Sequence, residues 1–182
     1  MTYSKQVENS LNKMMFWKKK YKKDDKKCSV KIYSPIEGEV VQLENVNDEA
    51  FSSGILGRGI AIIPNIGKIV SPVNGIISMV FETNHAIAIT SNEGIEILIH
   101  IGIDTVELKG RGFKSHIKKG DLVKVGQLLM DVDIDFIKSN GYDITSPIVI
   151  TNDNDSMKIT ETNANFVRFE NEILSLDYDN ES

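Results

Sequence analysis

The chain has 182 residues, 41% of them apolar and 26% charged, a balance that can bury a sizeable core and excludes wholesale disorder. Its single cysteine, Cys28, excludes a disulfide framework and a cysteine metal cluster. The net charge of −5 hides a split: residues 1–31 carry ten Lys and three acids, net +7, whereas residues 32–182 are net −12. A polyanion would be repelled by that body, so no nucleic-acid partner is expected.

In chain order, the first segment is a basic leader, residues 1–31. Met14-Met15-Phe16-Trp17 is followed there by Lys18-Lys19-Lys20-Tyr21-Lys22-Lys23. This apolar run is far short of a signal sequence or of a membrane span of roughly 20 residues. Apolar stretches elsewhere are strand-sized, which predicts a soluble, cytoplasmic protein. Two readings of the leader stay open. Residues 1–27 could lie on an anionic membrane surface, with Phe16 and Trp17 in the interface and the lysines over the headgroups. Alternatively the leader is a solvated terminus.

From Val30 onward short Ile/Val-rich runs alternate with Gly, Pro, Asn and Asp. Gly59-Ile60-Ala61-Ile62-Ile63 and Ala86-Ile87-Ala88-Ile89 are examples. Such runs predict an all-β sandwich or barrel over residues 32–178, closed by an acidic tail, 179–182. Helical signals are short: Asp48–Phe51 and Asp135–Ser139. An internal echo is also present. Ser34-Pro35-Ile36-Glu37-Gly38 returns as Ser71-Pro72-Val73-Asn74-Gly75, and Ser146-Pro147-Ile148-Val149 begins it a third time. Proline sets φ at a strand start and glycine permits a tight turn, so the echo predicts a duplicated β architecture.

Three histidines are present: His85, His100 and His116. Ile95, Ile97, Ile99 and Ile101 alternate with Glu96, Leu98 and His100, so the isoleucines face the core and His100 faces outward beside Leu98. Gly102 then predicts backbone accessible to a ligand. In Phe81-Glu82-Thr83-Asn84-His85 the alternate residues share parity, which predicts a Thr83 hydroxyl bonded to the His85 ring. If the two histidine strands are neighbours, the imidazoles can bind a metal, act as base and acid, or divide the roles of nucleophile and charge stabiliser. His116 lies in a basic loop and reads as a surface residue.

Several motifs together resemble the IIA domain of the glucose-type sugar phosphotransferase system. They are Ser34-Pro35-x-x-Gly38, Gly59-Ile60-Ala61-Ile62-x-Pro64, Ser71-Pro72-Val73-x-Gly75, Phe81-Glu82-Thr83-x-His85-Ala86 and the long run His100-Ile101-Gly102-Ile103-Asp104-Thr105-Val106-Glu107-Leu108-Lys109-Gly110. The resemblance implies an antiparallel β-sandwich with a duplicated hybrid motif. It implies a phosphotransferase in which His100 accepts a phosphoryl group from the small phosphocarrier HPr and passes it to a cysteine of a IIB domain. By the same resemblance His85 contacts the phosphoryl group and Thr83 orients His85. Asp48 and Asp104 meet basic partner residues, and Phe51, Phe81, Leu98 and Val106 form an apolar docking rim. The last strand, Phe166–Leu174, has Glu170 or Asn171 where the family usually has a turn glycine.

Two rivals are weaker. Gly120–Leu129 is similar to the hairpin of biotinyl and lipoyl carriers, but the residues that follow, Met130–Asp135, contain no attachment lysine. A zinc peptidase of the same architecture needs a His-x-His pair, which the chain lacks. No cofactor is required by the phosphocarrier reading; zinc between His85 and His100 would be incidental.

Overall fold

The computed structural model describes residues 27–179; the leader up to residue 26 and residues 180–182 of the tail lie outside them. Among the described residues every strand pairing is antiparallel. One sheet holds eight strands, in the spatial order β13 (Phe166–Val167), β2 (Gly38–Gln42), β3 (Arg58–Pro64), β11 (Ser146–Ile150), β7 (Glu96–His100), β6 (Ala86–Ser91), β5 (Gly75–Val80) and β9 (Leu122–Val123). A three-stranded sheet orders β1 (Lys27–Tyr33), β14 (Glu172–Asp179) and β12 (Lys158–Glu161). A second orders β4 (Lys68–Val70), β10 (Leu128–Val132) and β8 (Phe113–Ser115).

Period-two burial holds these layers together. Ile60, Ile62, Ile77, Ile87, Ile89, Ile97 and Ile99 of the large sheet share one core with Val30, Ile32, Ile69, Met130 and Leu176 of the small sheets. Each fully buried isoleucine contributes about 2 kcal/mol of transfer free energy. The spacing left a sandwich or a barrel open; the antiparallel β-sandwich that the resemblance implies is the architecture found. Two short helices interrupt it: α1 (Glu49–Ser52) and α2 (Ile134–Ser139). Each begins within one residue of the expected start, at Glu49 rather than Asp48 and at Ile134 rather than Asp135, because the aspartate before it, Asp48 or Asp133, caps it. Asp48 accepts from the Ala50 N–H at 2.8 Å, and Asp133 accepts from the Phe136 N–H at 2.9 Å.

The echo is a two-fold repeat in hydrogen bonding as well as in sequence. The Tyr33 N–H donates to the Pro72 carbonyl at 3.0 Å, and the Val70 N–H donates to the Pro35 carbonyl at 2.9 Å. Ser34 Oγ donates to the Ile36 carbonyl, and Ser71 Oγ donates to the Val73 carbonyl. Gly38 and Gly75 play one role: a Cβ on either would stand 2.0 or 2.2 Å from a carbonyl oxygen of the adjacent strand. A second pair of segments repeats too. β9 pairs with β5 through Val123 and Gly75, as β13 pairs with β2 through Val167 and Gly38.

Two sequence boundaries move. Strand β1 contains residues 27–31, which the composition assigned to the leader. Val30 and Ile32 point into the core there, a two-residue period masked by neighbouring lysines. Phe166–Leu174 is not one strand: β13 ends at Val167 and β14 starts at Glu172. The turn between them closes without glycine, through Arg168 N–H to Asn171 Oδ1 at 2.7 Å. In the sister turn the same bond runs from the Lys124 N–H to Gln127 Oε1 at 3.2 Å.

Candidate functional site

The paired strands β6 and β7 bring the two histidines together. Ala86 lies opposite His100 in the ladder, and the Ile101 N–H donates to the His85 carbonyl at 2.8 Å. The ring centroids of His85 and His100 are 5.0 Å apart at an interplanar angle of 76°. On β7 the parity is as expected: Ile97 and Ile99 are in the core, while Leu98 and His100 are half-buried on the opposite face. That face is not bare. Leu43, Val46, Phe51, Ala61, Ile103 and Val149 form a second, smaller core over it, with Leu98 packed against its margin.

His85 arrives differently from its parity reading. Phe81–His85 is the turn between β5 and β6, with Asn84 at φ 54°. The expected contact is present all the same: Thr83 Oγ1 and His85 Nδ1 are 2.5 Å apart. His100 Nδ1 donates to the Gly102 carbonyl at 2.8 Å. A carbonyl oxygen only accepts, so this bond puts the His100 proton on Nδ1 and leaves a lone pair on Nε2. Gly102 is therefore not open backbone awaiting a ligand. It is buried, with φ 71°, and a Cβ there would stand 2.6 Å from Thr105 Cγ2 and 2.7 Å from the Asp143 carbonyl oxygen.

Both rings are held neutral. Burial, and then the neighbouring His100, push His85 down to about 4. Burial also lowers His100, opposed by the Gly102 carbonyl, Asp48 and Asp104. A buried neutral imidazole with a free lone pair is a nucleophile; a neutral neighbour is a hydrogen-bond donor that adds no fixed charge.

The other expected residues surround this pair. Phe51, on α1, meets the His100 ring edge-on at 5.1 Å and is itself buried; Phe81 meets the His85 ring edge-on at 5.3 Å. Val106 is 43% exposed on a 3-10 turn that starts after Asp104, whose φ is 58°. Asp48 caps α1 and is half-buried, and Asp104 is exposed. His116 is exposed, 2.7 Å from Asp131, and stands apart from the pair as expected. Met79 was missed. A bulge after Ile77 sets it opposite Ala88, which lies opposite Leu98, so an exposed methionine extends the apolar row beside the site. Its only sequence signal was alternation, which the bulge breaks. Among the described residues no group of three His, Cys, Asp or Glu forms a metal-ligating cluster. No helix there is long and apolar enough to cross a membrane.

Comparison with known proteins gives a consistent picture. A family model described as phosphoenolpyruvate-dependent sugar phosphotransferase system, EIIA 1, matches residues 30–156. The PTS system beta-glucoside-specific EIIBCA component of Bacillus subtilis (strain 168) is 52% identical over 121 residues, covering 66% of this chain and 20% of its own. The chain thus spans about a fifth of that multi-component relative. The PTS system glucose-specific EIIA component of Haemophilus influenzae is 42% identical over 154 residues, covering 85% of this chain and 93% of its own. The solved glucose permease IIA from Mycoplasma capricolum superposes with a TM-score of 0.76 at 33% identity, covering 81% of this chain and 96% of that one.

Proposed function

Since the chain belongs to the EIIA 1 family of the phosphoenolpyruvate-dependent sugar phosphotransferase system, we propose that it carries a phosphoryl group on His100 Nε2, received from phospho-HPr and delivered to a cysteine of a IIB domain. The observation that carries this reading is the bond from His100 Nδ1 to the Gly102 carbonyl, which leaves Nε2 free. In the transfer the Nε2 lone pair attacks phosphorus in line, a new N–P bond forms, and the donor N–P bond breaks with its electron pair returning to the donor ring. No proton need leave His100, because Nδ1 keeps its own.

His85 stabilises the charge that develops. With the Thr83 hydroxyl, 2.5 Å from His85 Nδ1, acting as donor to that nitrogen, the His85 proton lies on Nε2 and that N–H donates to a phosphoryl oxygen. Phe51, Phe81, Leu98 and Val106 exclude water that would hydrolyse the phosphohistidine. Asp48 and Asp104 meet basic groups of the partners. The transfer draws on no cofactor. His85 and His100 would supply only two ligands to a zinc ion, which would need others from a partner, so we treat zinc as incidental.

Incubation with enzyme I, HPr and phosphoenolpyruvate tests the reading. His100→Ala is expected to abolish labelling, and His85→Gln to accept the label but donate it poorly to a IIB domain. Label on His85 or His116 instead would sink the assignment. For the leader we propose contact with an anionic membrane surface, on the strength of Phe16, Trp17 and the lysine run. Liposome co-sedimentation that does not change when residues 1–26 are deleted would remove that contact.

A further inference from the structure

The third Ser-Pro, at Ser146, has no part in the transfer as described, and it departs from its two echoes. Ser34 and Ser71 each donate forward to a carbonyl two residues on. Ser146 donates backward, to the Ile144 carbonyl at 2.8 Å, and its oxygen accepts from the Gly102 N–H at 3.1 Å, across 44 residues of chain. Its hydroxyl is completely buried. Thr105 is also completely buried, and its hydroxyl donates to the Ile101 carbonyl at 2.6 Å.

The Ile101 carbonyl and the Gly102 N–H are the two polar groups of one peptide unit. Thr105 therefore holds one side of that plane and Ser146 the other. The next peptide unit presents the Gly102 carbonyl to His100 Nδ1, and its N–H, on Ile103, donates to the Asp143 carbonyl at 2.8 Å. Both planes flanking Gly102 are thus fixed from outside, at a left-handed φ of 71° that many backbone conformations of glycine would otherwise compete with. A carbonyl free to swing would release the Nδ1 proton, and the ring could then protonate Nε2 instead and lose its lone pair there.

We propose that Ser146 and Thr105 are positioning residues that clamp the Ile101–Gly102 peptide and thereby set the tautomer of His100. This rests on the reading of His100 Nε2 as the phosphoryl acceptor. Neither residue touches the phosphoryl group; each acts through the Gly102 carbonyl. Ser34 and Ser71, equally buried, bond only to a carbonyl two residues on, so the bond from a distant backbone N–H sets Ser146 apart from its echoes.

The test compares Ser146→Ala and Thr105→Val with Thr105→Ser, which keeps the hydroxyl, and with Ser71→Ala, which removes an equivalent buried hydroxyl from the echo. Nitrogen-15 spectra of the imidazoles read the tautomer directly. Wild type is expected to give a pyrrole-like Nδ1 and a pyridine-like Nε2 at His100. Ser146→Ala and Thr105→Val should move both signals towards the other tautomer and slow phosphoryl acceptance from phospho-HPr about tenfold, the scale of one lost hydrogen bond. Thr105→Ser and Ser71→Ala should leave the His100 nitrogens as in wild type. The proposal is overturned if the His100 nitrogens do not move in Ser146→Ala and Thr105→Val, or if Ser71→Ala moves them equally. Wild-type protein that is not labelled on His100 would overturn the phosphocarrier reading instead, and the nitrogen spectra would still decide the clamp.

Discussion

His85 and His100 differ from exposed histidines because the fold withholds the water that would solvate their charged forms. His85 sits at about 4 in the folded protein against 6.5 for a free ring. As pH falls, the unfolded ring binds a proton first, so between about 6.5 and 4 the unfolded state holds more protons and stability is lost. Above 6.5 the ring is neutral in both states and this contribution is complete. By pH 5 the loss from His85 amounts to about 2 kcal/mol. Urea midpoints at pH 7 and pH 5 check it: His85→Gln should lose less stability than wild type over that interval, and identical losses would mean that His85 titrates as it does in water. Gly102 makes a steric prediction. A methyl group there meets Thr105 and the Asp143 carbonyl within 2.7 Å at a φ of 71°. Gly102→Ala should cost about 2 kcal/mol or more and weaken phosphoryl acceptance, measured by thermal melts beside the transfer assay.

At the scale of elements, α1 joins stability to electrostatics. Its cap, Asp48, holds the Ala50 N–H and also raises the His100 pKa, while Phe51 three residues on packs against the His100 ring. The two roles separate by substitution. Asp48→Asn keeps a good cap but removes the charge, so His100 should titrate lower with little change in melting temperature. Asp48→Ala loses both, at a further cost of about 1 kcal/mol. Proton NMR titration of His100 reads the first effect, and an unchanged titration in Asp48→Asn would contradict it. The elements also explain what could be read beforehand. Ile95–Ile101 keeps one period without interruption, so the direction of His100 was legible. Phe81–His85 was not a strand, because Asn84 takes a left-handed φ and turns the chain; only the Thr83–His85 spacing survived. Met79 escaped because a bulge resets parity inside β5, and β1 escaped because its lysines matched the composition of the leader. The clamp on Gly102 joins residues 44 apart in the chain, and no local pattern signals such a bond.

Across the whole molecule, duplication supplies the frame and charge supplies the approach. The reciprocal bonds of Tyr33 to Pro72 and Val70 to Pro35 lock the two halves together, and the large sheet they support carries the histidine pair. Residues 32–182 are net −12, with Asp48 and Asp104 near His100, which favours encounter with a basic carrier. Phosphoryl acceptance from phospho-HPr should therefore slow several-fold when ionic strength rises from low values past 0.1 M, where the Debye length shrinks to about 10 Å. A rate indifferent to salt would leave docking to the apolar rim alone. The central claim is that His100 Nε2 receives the phosphoryl group while Nδ1 stays bound to Gly102. Nitrogen-15 and phosphorus-31 NMR of the chain phosphorylated by phospho-HPr test it most directly. Phosphorus coupled to Nε2 of His100 is the predicted result, and phosphorus on Nδ1 of His100, or on either of the other histidines, would contradict it.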